Sequence, residues 1–164
     1  MKKLVIMRHG KSSWDHPDLK DHLRPLNQRG VNNAISVAAK LFELGLSPDA
    51  IVSSPAIRAL DTAIIVATGL SYPLHEIATE GDIYEASEGE LLKVLGRLDD
   101  GLNIVMLFGH NPGLTSLVNR LQSENLFNLP TSGVFAIELP ITSWNQIGQA
   151  KGQKWFSIIA RELD

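Results

Sequence analysis

Apolar residues along this chain recur with two periodicities. Residues 4–7 and 104–108 are short unbroken apolar runs, the mark of strands buried on both faces. Residues 50–52 read as another strand, and residues 134–139 and 155–160 as two more, with 144–152 between them. Elsewhere the spacing is helical. From Asn27, Val31, Ala34, Ile35, Ala38, Leu41 and Phe42 mark the buried side of one helix, which Gly45 ends. Ser54 as N-cap and Pro55 as first helical residue open a second, with Leu60, Ala63, Ile64 and Ala67 inward and Gly69 closing it. Ser87-Glu88-Gly89-Glu90 is a capping-box pattern ahead of Leu91, Leu92, Leu95 and Leu98. Asn111 and Pro112 start a fourth helix with Leu114, Leu117, Val118 and Leu121 inward. Alternating strands and helices predict a three-layer α/β/α sandwich on a central, mostly parallel sheet, with antiparallel pairing late in the chain.

Composition narrows the picture. A chain of 164 residues is expected to make one domain, spanning 1–164, with a sizeable core. A net charge of -3 gives no global attraction to nucleic acid or an anionic membrane, so any anion site must be built locally. With no cysteine there is no disulfide, thiolate metal site or cysteine nucleophile. No signal peptide or membrane-spanning segment is legible, and a cytoplasmic location is the expectation.

The unusual residues gather at strand-to-helix junctions, where open α/β sheets bind ligands. The first apolar run ends in Arg8-His9-Gly10, and the run at 104–108 ends in Gly109-His110-Asn111-Pro112-Gly113. Two imidazoles are thus expected to face one pocket. Arg58 falls in the first turn of the second helix, where the dipole disfavours a cation unless an anion is bound. Two arginines, two histidines and helix N-termini suit a dianionic phosphoryl group, because a planar guanidinium binds two oxygens at once. A neutral imidazole among arginines can attack phosphorus, and water can hydrolyse the phosphohistidine so formed. The arginines supply positive charge at the equatorial oxygens, so this chemistry needs no metal and no cofactor.

Together these segments resemble the histidine phosphatase superfamily, the phosphoglycerate-mutase-like group, and within it the short SixA-type phosphohistidine phosphatases. The resemblance is carried by Arg8-His9-Gly10, Ser53-Ser54-Pro55-Ala56-Ile57-Arg58-Ala59 and Gly109-His110-Asn111-Pro112-Gly113. Lys11-Ser12-Ser13-Trp14, the stretch from Arg24 to Gly30, Ile83-Tyr84-Glu85-Ala86-Ser87 and Pro130-Thr131-Ser132-Gly133 extend it over nearly the whole chain. It implies His9 as the phosphorylated nucleophile and Arg8, Arg58 and His110 as the phosphate pocket. Arg24 matches a further pocket arginine. Larger relatives supply a carboxylic acid from the region matching 80–90. Glu85 is the nearest match, with Glu80, Asp82, Glu88 and Asp21 as rivals.

An alkoxide leaving group needs such an acid, whereas an imidazole, whose conjugate acid has a pKa of roughly 6.5, does not. A poorly specified acid therefore fits phosphohistidine better than an alkyl phosphate. The resemblance implies a partner of the signalling or phosphotransfer kind, a protein bearing phosphohistidine, or else a small phosphorylated compound. A small-molecule phosphomonoesterase and a non-catalytic phosphate-dependent binding module are the competing readings. The bland readings are specific too. Arg58 could pair with Asp61, Arg24 could be an ordinary surface residue, and Trp14 could line the entrance or only anchor its loop. His16 and His22, near Asp15, Asp18 and Asp21, lie in a loop without the helical spacing of a metal-binding pair, and like His75 they read as solvated.

Overall fold

A computed structural model describes residues 1–163. Six strands form one sheet: β1 (Lys2–Arg8), β2 (Ala50–Ser53), β3 (Ala78–Thr79), β4 (Ile104–Gly109), β5 (Val134–Leu139) and β6 (Gln153–Ile158). Their order is β3-β2-β4-β1-β5-β6. The pairs β1–β4, β2–β4 and β2–β3 are parallel, whereas β5 is antiparallel to both β1 and β6. Four helices flank the sheet: α1 (Gln28–Glu43), α2 (Ile57–Gly69), α3 (Glu88–Gly96) and α4 (Gly113–Leu121). The expected three-layer, mostly parallel sandwich is what forms.

Alternation along the central strands divides the core in two. Leu4 and Ile6 of β1 and Val105 and Leu107 of β4 pack against α3 and α4, joined by the fully buried Trp144. Val5, Met7, Met106 and Phe108 face the other way, onto α1 and α2. The helix after β1 and the helix after β4 thus cover opposite faces. Two adjacent parallel strands whose connections diverge leave a crevice at their carboxyl ends, the place where such sheets hold ligands.

Several boundaries differ from the sequence reading. The second helix starts at Ile57 with Ala56 at its cap, because the Ser54 hydroxyl accepts from the Ala56 amide instead of capping a helix begun at Pro55. On α1 the buried stripe is Gly30, Ala34, Val37, Ala38 and Leu41, while Ile35 and Phe42 are 54% and 64% exposed. Both stripes satisfy helical spacing. The two share Ala34, Ala38 and Leu41, and α2 packs closely on that shared line, where a Cβ on Gly69 would stand 2.7 Å from the Ala38 Cβ. Ile35 and Phe42 instead line an open apolar groove of about 590 Å3 with Ile64 and Ile65 of α2, which leaves Ile64 only partly buried. Leu60 is likewise half-buried. The final strand is displaced two residues towards the amino terminus, and the short β3 edge has no apolar pattern to announce it. Where apolar spacing and capping chemistry agree, prediction and structure coincide. Asn27 accepts from the Gly30 amide at the start of α1, Ser87 and Glu90 form the capping box of α3, and all four inward residues of α4 are buried.

Candidate active site

The β1–β4 register pairs Arg8 with Gly109, so the next residue on each strand is a histidine. The His9 amide donates to the Gly109 carbonyl at 3.2 Å, and the two imidazole centroids stand 5.2 Å apart. Both residues are 8% exposed. Arg58 reaches in from the first turn of α2, and Arg24 from loop 11–26. A cavity of about 270 Å3 opens there, lined by Arg8, His9, Ser12, Trp14, Arg24 and Arg58, together with Lys11 and Thr131.

Hydrogen bonds set each group. His9 Nδ1 lies 2.7 Å from the Gly10 carbonyl oxygen. A carbonyl can only accept, so Nδ1 carries the proton and the Nε2 lone pair is left free. The Gly10 amide donates to Thr62 Oγ1 at 2.9 Å, and that hydroxyl donates to the Arg58 carbonyl at 2.7 Å, tying β1 to the first turn of α2. His110 Nε2 is 2.8 Å from Ser54 Oγ. Arg8 donates to the Leu129 carbonyl at 3.1 Å. Three buried polar atoms have no partner among the described residues: Arg8 Nε, His110 Nδ1 and Ser132 Oγ. Ser132 belongs to the same neighbourhood, since its amide donates to the His9 carbonyl at 3.1 Å. Unsatisfied buried polar atoms are costly, and their gathering here marks a place arranged for a polar ligand.

Asp21 organises the arginines. Its carboxylate accepts from Arg58 at 2.9 Å, from Arg24 at 3.2 Å and from the Tyr84 hydroxyl at 2.6 Å, and its carbonyl accepts from Arg58 at 2.8 Å. Arg58 therefore pairs with Asp21, not Asp61. Arg24 is buried, donates also to Ser12 Oγ and the Ser13 carbonyl, and stacks 3.3 Å from the Trp14 ring centroid. Trp14 thus both lines the cavity and holds an arginine. The Tyr84 ring meets His110 edge-on, with centroids 5.5 Å apart.

The electrostatics follow from burial. Burial above all, helped by Arg58, Arg8 and Arg24, lowers the His9 imidazole to a pKa of about 4, against the opposing pull of the Gly10 carbonyl. Burial, then the neighbouring His9 and Arg58, takes His110 to about 3. Both imidazoles are neutral at physiological pH. The Tyr84 hydroxyl, followed by Arg58, holds the Asp21 carboxyl at about 2, and the same bond pushes the Tyr84 phenol to about 12. At neutral pH Asp21 is a carboxylate with no proton to give.

Arg8, His9, Arg24, Arg58 and His110 are therefore brought together. Glu85 is not joined to them: it is exposed, with φ +55°, and no hydrogen bond or ion pair links it to the cluster among the described residues. Glu80 and Asp82 face Arg97, and Glu88 pairs with Arg120. The sequence named Asp21 only as a rival acid, a role its deprotonated state contradicts, and assigned no contact to Thr62, Tyr84 or Ser132, though Tyr84 and Ser132 lie within recognisable motifs. Among the described residues no group of three or more histidine or acidic side chains could hold a metal ion, and no helix is long and apolar enough to cross a membrane.

Comparison with known proteins bears on the same elements. A structure of the protein histidine phosphatase SixA complexed with tungstate matches with a TM-score of 0.84 at 22% identity, covering 99% of each chain. A mutant phosphoserine phosphatase from Entamoeba histolytica in complex with phosphoserine matches with a TM-score of 0.69 at 16% identity, covering 100% of each. These likenesses concern the fold. In sequence, an uncharacterized chloroplastic protein of Arabidopsis thaliana is 28% identical over 154 residues, which are 88% of this chain and 70% of that one. An uncharacterized protein of Picosynechococcus is 30% identical over 139 residues, 82% of this chain and 84% of its own. The model of the histidine phosphatase superfamily (branch 1) matches residues 4–94, more than half the chain and the part that carries both Arg8-His9-Gly10 and Arg58. The chain belongs to the histidine phosphatase superfamily.

Proposed function

We propose that this protein is a metal-independent phosphatase that works through a phosphohistidine on His9 and acts on phosphohistidine carried by another protein. The observation that carries this reading is a neutral, buried His9 with its Nε2 lone pair free, beside three arginines and the partnerless atoms of Arg8 and His110. In the first step the Nε2 pair forms a bond to phosphorus while the bond from phosphorus to the substrate imidazole breaks. That electron pair returns to the substrate ring, which has already taken a proton from solvent on its other nitrogen and so leaves as a neutral imidazole. In the second step a water oxygen bonds to phosphorus, the His9–phosphorus bond returns its pair to Nε2, and inorganic phosphate leaves with the water's protons shared between it and solvent.

Arg8, Arg24 and Arg58 balance the charge on the equatorial oxygens. His110 donates to one of them. The Ser54 hydroxyl accepts from the Ala56 amide, so its own proton is available to His110 Nε2, and Nδ1 then carries the free proton. Asp21 yields its place on Arg58 and Arg24 to the incoming dianion.

Leaving-group chemistry favours phosphohistidine over an alkyl phosphate. Asp21, the carboxyl bonded to both Arg24 and Arg58, is held deprotonated, and Glu85 is exposed at the end of a turn. Neither is a ready general acid for an alkoxide, and an imidazole departs without one. Loop 11–26 also exposes Trp14, Leu19 and Leu23, apolar surface suited to a protein substrate.

The deciding measurement is metal-free hydrolysis of a phosphohistidine-bearing protein and of an alkyl phosphate monoester, by the native protein and by His9→Ala. We expect strong preference for phosphohistidine, a trapped phosphoenzyme in the native protein alone, and a loss in His9→Ala of about 10³-fold or more. Preference for the monoester would make the protein a small-molecule phosphomonoesterase. Binding without turnover of either would make it a phosphate-dependent binding module.

A further inference from the structure

Beside the active-site cavity lies a smaller depression of about 110 Å3, lined by Lys11, Arg29, Asn33, Pro130, Thr131 and Arg161, among others. Lys11 and Thr131 line both, so the two are contiguous. We propose that this depression is a second anion subsite, which takes a carboxylate or phosphate carried by the substrate next to its phosphoryl group. The inference rests on the reading of the main cavity as the phosphoryl site, and it extends that reading to substrate choice.

Four observations support it. Lys11, Arg29 and Arg161 crowd three cations around one small space on a protein whose net charge is -3. Among the described residues none of them has a carboxylate within ion-pair distance, whereas Arg24, Arg58, Arg97 and Arg120 all do. Arg29 occupies the first turn of α1, a 16-residue helix with no acidic residue in that turn. The helix dipole disfavours a cation there and favours an anion beside it. The backbone that carries two of the cations is close-packed: the Asn27 amide donates to the Lys11 carbonyl at 2.9 Å, and a Cβ on Gly30 would overlap that carbonyl oxygen. The backbone positions of Lys11 and Arg29 are thereby fixed close together, with Lys11 also lining the phosphoryl cavity. An anion in the depression relieves the repulsion among the cations.

The occupant that fits an open, exposed basic depression is an acidic side chain flanking the phosphorylated residue of a protein. A compact small molecule bearing two anionic groups offers the same chemistry, and the test separates the two. His9→Ala serves as a binding trap. Its affinity is measured for peptides carrying phosphoserine flanked by glutamates or by glutamines, and for 3-phosphoglycerate against glycerol 3-phosphate. At low ionic strength the glutamate peptide is expected to bind about fivefold more tightly than its glutamine twin, with the gap shrinking in high salt. Adding Arg29→Gln and Arg161→Gln should close the gap and leave the glutamine peptide's affinity unchanged. A gap seen only between the two small molecules, and closed by the same substitutions, supports the subsite and assigns it to small bis-anions. Equal affinities within both pairs, or a gap that survives the substitutions, overturns it. Because the readout is binding, absence of phosphohistidine turnover does not count against it; failure of all four probes to bind overturns this inference, while the phosphoryl site stands or falls on the phosphoenzyme at His9.

Discussion

His9 and His110 are neutral mainly because they are buried; Arg58, Arg8 and Arg24 add to this for His9, and the neighbouring His9 followed by Arg58 for His110. The sequence suggested the arginines alone, since burial is not written at any one position. The consequence is a pH dependence with a definite sign. In the unfolded chain both imidazoles titrate near 6.5, and in the folded one at about 4 and about 3. Between those values the unfolded state binds more protons, so stability is full above pH about 6.5 and falls as pH drops towards 4. Urea unfolding at pH 7 and pH 5 should differ by about 2–4 kcal/mol, with a smaller difference in His9→Ala. Equal stability at the two pH values would refute the burial argument. Asp21 supports a second expectation. Asp21→Ala frees Arg24 and Arg58 from a competing carboxylate, so inorganic phosphate should bind several-fold more tightly while the melting temperature falls; calorimetry of phosphate binding and thermal unfolding read the two effects. Arg8, His9, Arg58 and His110 were legible as residue types at strand and helix ends, and Arg24 through the resemblance. The bridging role of Asp21 was not, because it meets Arg58 across 37 positions and Tyr84 across 63.

Elements were most legible where local chemistry decides them. The capping box at Ser87 and Glu90 forms as its spacing demands, and Ser87→Ala should cost about 1 kcal/mol in chemical denaturation. On α1 the sequence put Ile35 and Phe42 on the buried side, and the structure turns them out and buries Val37 instead. The helix is seated where Gly69 lets α2 approach Ala38, a contact between two helices that no single-helix pattern contains. Gly30 acts similarly at the other end of α1. Gly30→Ala would drive a methyl group into the Lys11 carbonyl, with an expected cost of about 1–3 kcal/mol and a weaker phosphate affinity as loop 11–26 shifts. Native-like stability and affinity in that variant would show that the loop yields freely.

At the scale of the whole molecule, the site exists because β1 and β4 are adjacent and parallel while their helices diverge to opposite faces. Trp144 tests how far this crevice depends on the distant core. It is fully buried on the α3–α4 side, and its indole donates to the Leu102 carbonyl at 2.8 Å. Trp144→Ala should cost about 3–5 kcal/mol in unfolding free energy yet leave phosphate affinity in the folded fraction unchanged. By itself the sequence determined the layered architecture and the basic residues of the pocket. Periodicity, caps and strand-end motifs are local, and they survive in one dimension. Only the tertiary structure decided which face of α1 is buried, that Asp21 bridges two arginines, that both imidazoles are buried enough to stay neutral, and that Lys11, Arg29 and Arg161 meet beside the cavity. Those outcomes depend on distances between segments far apart in the chain, which are set by the packing of helices on both faces of the sheet.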